Sequence, residues 1–434
     1  MLADGRGLAM MHVLEHGLGE VLDLVIAACV SAQAYDPQCE ASRAPWLYRM
    51  IRQSPQRDQI VAAIFAALPQ SAEMWDIEQM CDLAALLAED DARAGPALRN
   101  FVLGKDFLQN IEQHGCRALV KLDGMHAVEL LARRFGALLL RDPEAWPSTV
   151  ETLTDDILDA GDTLAVLEKA AVNDAELAAY LRYCKKEIEK RNTYDAVTSE
   201  SRVRNRLKAS AEQVFAAAET DTRLNKGYYR AFGRFATADE LELALQKLLV
   251  SETAAVCVRL LWIFNAVKAP RLEARIFELA RHKDEEVRYA AMDALSKFSD
   301  CRVRDVALAW LASDPLLVRD GNLLKLFTRN YREGDETFIL AVLERLGPLT
   351  DDECHSIACS LVRICEENHS ATIAALAEWI VNAVRCSVCR RRAVTRLVEL
   401  AVLPEAIAQE SLFDADPATE LIVSNCLPGL VKAL

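Results

Sequence analysis

The sequence predicts an all-α protein, specifically an α-solenoid built of helical hairpins, and three observations predict it. Ala and Leu dominate, over half of the 434 residues are apolar, and only 16 Gly and 13 Pro are available. That composition favours helices and leaves little turn chemistry for hairpins of strands. Apolar residues recur every third or fourth position through most of the chain, the spacing of a one-sided helix. Helices with the same character also return at a fixed interval. The second members of successive pairs start near 253, 285, 316, 351, 386 and 417. A step of about 31 to 35 residues is the signature of stacked helical hairpins, each burying its apolar face on the next.

The stretch "DEEVRYAAMDAL", residues 284–295, shows the unit most clearly. Asp284 is placed to cap the helix, since its carboxylate can accept from the free amides of the first turn. Glu285 and Glu286 lie where the helix dipole favours negative charge. Val287, Ala291, Ala294, Leu295 and Phe298 fall on one face. Pro270 opens the preceding helix, "RLEARIFELARH", and His282 and Lys283 make the turn. The other pairs lie at about 239–264, 301–327, 336–365, 371–400 and 404–427.

Pro270, Asp284, Val287, Arg288, Ala291 and Leu295 resemble the HEAT repeat pattern. The segments "NYREGDETFILAVLERL", "CSVCRRRAV" and "LPEAIAQESLFDADPATELIV" are similar to a group of bacterial HEAT-repeat proteins, as are "SRAPWLYRMIRQS" and "WDIEQMCDLAALLAEDDARAGPALRNF". The resemblance covers most of the chain. It implies an armadillo-like superhelix whose concave face binds a partner, and it implies no activity.

Three regions are expected. Residues 1–192 form an N-terminal helical region, read as divergent repeats continuing the solenoid in preference to a separate bundle. Residues 193–236 are a basic junction, and 237–434 hold about six hairpins. Prolines punctuate the N-terminal helices near their ends, as the missing N–H requires. The expected helices there are 18–31, 44–53, 57–67, 76–89, 124–140 and 174–191.

The net charge of −15 argues against a protein that coats nucleic acid or an anionic membrane. From Arg182 to Arg234, however, basic residues outnumber acidic ones by 13 to 7. Arg202, Arg204, Arg206, Lys208, Lys226, Tyr228, Tyr229, Arg230 and Arg234 are the candidate partner-binding residues. Arg beside aromatic rings suits a phosphate or an acidic segment. The competing reading is intramolecular, with these charges meeting acids on adjoining helices.

Thirteen scattered cysteines read as thiols in a reducing cytoplasm. The apolar run at 21–34 imitates an export signal, but Glu15, Glu20 and Asp23 interrupt it and no basic cluster precedes it. No uncharged run reaches the roughly 18 residues of a spanning helix.

Other constellations were weighed as chemistry. "HVLEH", 12–16, fits an inverted zinc-protease pattern, yet the enzyme class needs an α+β frame, so His12 and His16 are read as solvated. Cys386 and Cys389, "CSVC", are a possible thiol pair at a helix start. They are read first as small side chains packed between hairpins. Redox work or half a zinc site is the alternative, the second half coming from Cys354, His355, Cys359 or Cys365. Arg259, Arg288, Arg319 and Arg390–Arg392 are read as a ladder to neighbouring repeats. Trp262, Trp310 and Trp379 are read as core. Gly104-Lys105 is followed by Asp106, so no phosphate-cradling loop is formed.

The expectation is therefore a cytoplasmic, non-catalytic scaffold or adaptor, with no cofactor or metal and no membrane. Its concave face would hold a protein or peptide. The alternative is a nucleic-acid-associated protein using 182–234, disfavoured by the net charge. A metal- or thiol-dependent enzyme is a second alternative.

Overall fold

The computed structural model describes residues 1–104, 113–196, 210–220, 226–313, 318–319 and 321–426, the side chains of 192–196 excepted. Helices are the only regular elements among the described residues, so the chain is all-α as the composition demands. No described helix is long and apolar enough to cross a membrane.

The chain divides into two compact units. Unit 1 takes Met1–Ala196 together with Gln409–Ser424. Unit 2 runs from Val197 to Ala408. The break falls between residues 196 and 197, close to the expected start of the basic junction at 193. The sequence reading also kept 404–427 with the C-terminal hairpins, whereas most of that segment packs in unit 1.

Unit 1 contains α1 (Gly7–His16), α2 (Leu22–Val30), α3 (Ala44–Ile51), α4 (Arg57–Ala67), α5 (Met74–Leu87) and α6 (Ala94–Gly104). It continues with α7 (Cys116–Asp123), α8 (Met125–Arg141), α9 (Val150–Thr154), α10 (Ala160–Ala170) and α11 (Ala175–Ala196). The expected N-terminal helices are all present, within a few residues at their ends. α5 touches α2, α3, α6 and α7, and Met80, Cys81, Leu83, Ala84 and Leu87 on it are fully buried. α8 packs along α11, with Phe135 against Tyr180 at a ring separation of 5.8 Å. Gly136 sets that approach. A Cβ there would lie 1.8 Å from the Glu176 carbonyl oxygen, so only glycine lets the two backbones meet.

The late segment is fastened to the beginning of unit 1 by directional bonds. Arg6 makes a two-pronged ion pair with Glu410 at 2.7 and 2.9 Å. The Trp46 indole donates to the Phe413 carbonyl at 2.7 Å, and the Ala415 amide donates to the Gly5 carbonyl at 2.9 Å.

Unit 2 holds α12 (Ala211–Thr220), α13 (Lys226–Phe235), α14 (Ala238–Val250), α15 (Ala254–Phe264), α16 (Ala274–Leu279), α17 (Glu285–Leu295) and α18 (Cys301–Ser313). After a 3-10 turn at Leu323–Phe327 come α19 (Asp335–Arg345), α20 (Asp351–Glu367), α21 (Ala374–Ala383), α22 (Ser387–Glu399) and α23 (Glu405–Ser411); α23 crosses the unit boundary and α24 (Pro417–Cys426) follows it. Contacts run in sequence order. α13 packs on α15, α15 on α17, α17 on the 3-10 turn, that turn on α20, and α20 on α22.

The caps explain where these helices start. Asp284 accepts from the Val287 amide at 3.3 Å, as its position at the head of α17 predicts. Thr237 with Glu240 and Thr350 with Glu353 form reciprocal capping boxes. The face of α17 that the pattern assigned to the core is buried, from Val287 to Phe298.

One element departs from expectation. The pattern predicts a full second helix over 316–327, of which 316, 317 and 320 lie outside the described residues; Gly321 has φ +72°, and a 3-10 turn covers Leu323–Phe327. A Cβ at Gly321 would lie 2.2 Å from the Ser356 carbonyl oxygen. The left-handed backbone breaks the α-helical ladder and lets this segment press against α20.

Candidate functional site

Of the expected partner-binding residues, Arg202, Arg204, Arg206 and Lys208 lie outside the described residues. Lys226, Tyr228, Tyr229, Arg230 and Arg234 sit on α13. Tyr229 is fully buried, edge-on to Tyr228 at 5.2 Å and 6.0 Å from the Trp262 ring. Its ring is core, which removes Tyr229 from the expected partner-binding residues. The cause is that α13 is strongly one-sided, and Tyr229 lies with Phe232 on the face that meets α15. Lys226 reaches Asp293 on α17 at 3.7 Å, an intramolecular pairing, and Arg234 is exposed.

A different cluster of cations converges further along unit 2. Lys297 follows α17, Lys325 and Arg329 belong to the 3-10 segment, Arg363 lies on α20 and Arg392 on α22. Together with Glu366 and Glu367 they line one pocket of about 340 Å³. Part of the charge is already met. Lys325 binds Asp293 at 2.9 Å, and Arg392 grips Glu366 with two bonds of 2.8 and 2.7 Å. Lys297, Arg329 and Arg363 form no salt bridge among the described residues.

Burial lowers the pKa of the Lys297 ammonium. Asp293 opposes the shift, and Arg363, Arg329 and Arg230 reinforce it. A depressed lysine pKa means that the unfolded chain binds more protons in the interval below the ordinary value of 10.5. Charging Lys297 therefore works against folding, and the penalty disappears as pH rises through that interval. Lys297→Met is accordingly expected to raise Tm by roughly 1–3 °C at neutral pH while keeping the helix content, which a thermal melt followed by circular dichroism checks.

Sequence reasoning missed this pocket because it searched for contiguous basic runs. The signal was present at longer range: 297, 329, 363 and 392 are separated by 32, 34 and 29 residues, close to the hairpin period. Cations at about that spacing, brought together only when the helices pack, make a pocket that no local window shows.

Another cavity, of about 750 Å³, lies in unit 1 between the α5, α9 and α11 regions. Its charges are matched internally, Lys190 with Glu187 and Arg191 with Glu151 at 2.7 Å. It has no comparable excess of one sign.

The arginines expected to form a ladder divide into two kinds. Arg319 bonds Glu353 at 2.8 Å and the Leu346 carbonyl at 2.7 Å, spanning to α20. Arg259 and Arg288 donate instead to backbone carbonyls, of Ala218 at 2.6 Å and of His282 and Lys283 at 3.1 Å. Arg390 is buried and binds the carbonyls of Val384 and Arg385. Trp310 is buried, as expected, and Trp262 and Trp379 are half-buried.

Cys386 and Cys389 are both buried, 3 % exposed, Cys386 as the cap of α22 and Cys389 in its first turn. They do not stand alone. The Cys389 sulfur lies 3.7 Å from His355 Nδ1, and the Cys359 sulfur lies 3.5 Å from His355 Nε2. His355 and Cys359 are one turn apart on α20. A hydrogen bond with Cys389 draws the Cys359 pKa down, helped by His355 and Arg392 against burial. The pKa of Cys389 is pushed up by its bonds to Cys359 and Cys386 and by burial. By contrast the His12 and His16 rings lie 4.8 Å apart, tilted to each other, on an exposed face of α1, and no third ligand joins them among the described residues. No known family model, curated protein or solved structure matches the chain.

Proposed function

We propose that this protein is a non-catalytic scaffold of HEAT type whose unit 2 seizes an acidic or phosphorylated segment of a partner protein. In this reading the ordered layer α13, α15, α17, the 3-10 turn, α20 and α22 is a solenoid face, and the basic pocket is its recognition point. The observation that carries the proposal is the convergence of Lys297, Lys325, Arg329, Arg363 and Arg392 in one pocket of an otherwise acidic chain. Cations gathered by folded structure, Arg329 and Arg363 exposed among them, bind an anion with less further ordering cost than a flexible chain would. Guanidinium groups add a planar fork that matches phosphate or carboxylate.

A protein segment suits the pocket better than a nucleic acid. The pocket is compact, about 340 Å³, and Glu366 and Glu367 are among its lining, whereas a continuous phosphate track needs an extended basic surface. A short anionic motif needs only the pocket itself.

The test is fluorescence anisotropy with three probes: a phosphoserine peptide, a poly-glutamate peptide and a single-stranded oligonucleotide. Arg363→Glu with Lys297→Glu is expected to weaken peptide binding at least tenfold while the far-ultraviolet spectrum is unchanged. Peptide binding that ignores this double substitution ends the reading. Oligonucleotide binding stronger than peptide binding, with a steep loss in salt, would instead favour the basic stretch 182–234 as a nucleic-acid surface.

A further inference from the structure

We propose that His355, Cys359, Cys386 and Cys389 form a Cys3His zinc site that pins α20 to α22. The inference does not rest on the anion-binding reading. It begins with two pairs of ligands. His355-x3-Cys359 puts two donors on one face of a helix. Cys386-x2-Cys389 puts two buried sulfurs at the cap and in the first turn of α22, the spacing that zinc-binding knuckles use.

The donor atoms are already gathered. Those of His355, Cys386 and Cys389 all lie within 4.8 Å of one another. Cys359 joins them through His355 at 3.5 Å and through its hydrogen bond with Cys389. Zinc–sulfur bonds of about 2.3 Å and zinc–nitrogen bonds of about 2.0 Å hold tetrahedral donors roughly 3.5–3.8 Å apart. Shifts of about 1 Å in the four side chains would close the set around one ion. The imidazole would give one ring nitrogen to the metal.

The chemistry of the set selects the metal. Three thiolates and an imidazole suit a borderline-soft ion of tetrahedral habit, which zinc is. With all four positions supplied by the protein, no open position remains for substrate, so the site is structural. On binding, three Zn–S bonds and one Zn–N bond form and the thiols still protonated release their protons to solvent. No electron is transferred. The remaining charge of −1 on the complex has a counterion nearby in Arg392, which interacts with both Cys359 and Cys389.

Cys354, Cys359 and Cys365 are not ligand-spaced among themselves. Cys359 bonds Cys389 on α22, while the Cys365 thiol points to the Ile373 carbonyl at 3.9 Å. The second half of the site is a histidine and one cysteine, and the helix periodicity picks them out.

The experiment uses the full chain, reduced, stripped with a chelator and titrated with zinc or cobalt. One zinc per chain is expected to survive competition with a chromophoric chelator. It should protect three of the thirteen thiols from a thiol reagent. Cobalt should give the strong visible bands of a tetrahedral site, with sulfur-to-metal charge transfer. Cys389→Ser and Cys386→Ser should each lower zinc affinity at least a hundredfold, and Cys301→Ser, an exposed cysteine elsewhere, should not. Should the serine variants fail to fold, the cobalt spectrum of the unaltered chain decides. Weak octahedral bands, thiol reactivity unchanged by zinc, or an equal loss in Cys301→Ser would overturn the proposal. So would recovery of a Cys386–Cys389 disulfide together with no metal uptake after reduction.

Discussion

Asp335→Ala is expected to destabilise unit 2 by about 3 kcal/mol, a large fraction of an ordinary folding free energy. The carboxylate is nearly inaccessible and takes two bonds from Arg304, at 2.6 and 3.1 Å, and a third from the Arg332 amide at 2.9 Å. It therefore does three things at once: it starts α19, ties the preceding loop and holds α18 through Arg304. Truncation leaves the guanidinium, about one-fifth exposed, without its counter-charge. The backbone donor at 332 also loses its acceptor, a further cost when it cannot reach water. Asp335→Asn keeps an acceptor for that amide and should cost about half as much, near 1.5 kcal/mol. Urea unfolding measures both. Equal stability of the alanine variant and the unaltered chain would show that water already carries the Arg304 charge.

The second large effect belongs to unit 1. Gly136→Ala should cost about 2–3 kcal/mol, although alanine is the better helix former by close to 1 kcal/mol. The atom in the way is a backbone oxygen, that of Glu176, so no rotamer change relieves the overlap. α8 and α11 must move apart, and the buried contact of Phe135 with Tyr180 opens with them. Hydrogen exchange should report it directly, as lost protection in 125–141 and 175–191 with little change in 285–295. A variant as stable as the parent would mean that the helices already have slack between them.

These two sites also mark what could and could not be read beforehand. Helix positions follow from local information, and the caps at Asp284, Thr237 and Thr350 are visible in the residues that carry them. The break at Gly321 is less visible, because glycine is tolerated within many helices and its left-handed backbone depends on how closely α20 approaches. The burial of Tyr229 was hidden for a similar reason. A tyrosine among arginines looks the same in sequence whether its ring faces solvent or a neighbouring helix. The basic pocket and the thiol–imidazole cluster are harder still. Each joins residues about 30 positions apart, and neither pattern exists until two or more helices are laid side by side. Cys386 and Cys389 announced themselves as a pair; His355 and Cys359 did not.

The attachment of Gln409–Ser424 to the start of unit 1 has a consequence for synthesis. Residues 1–196 leave the ribosome long before the strip that completes their packing. At about 5–20 residues per second the delay is on the order of ten to forty seconds. During that interval the Trp46 indole and the Arg6 guanidinium await Phe413 and Glu410, and a nascent-chain chaperone has a defined surface to shield.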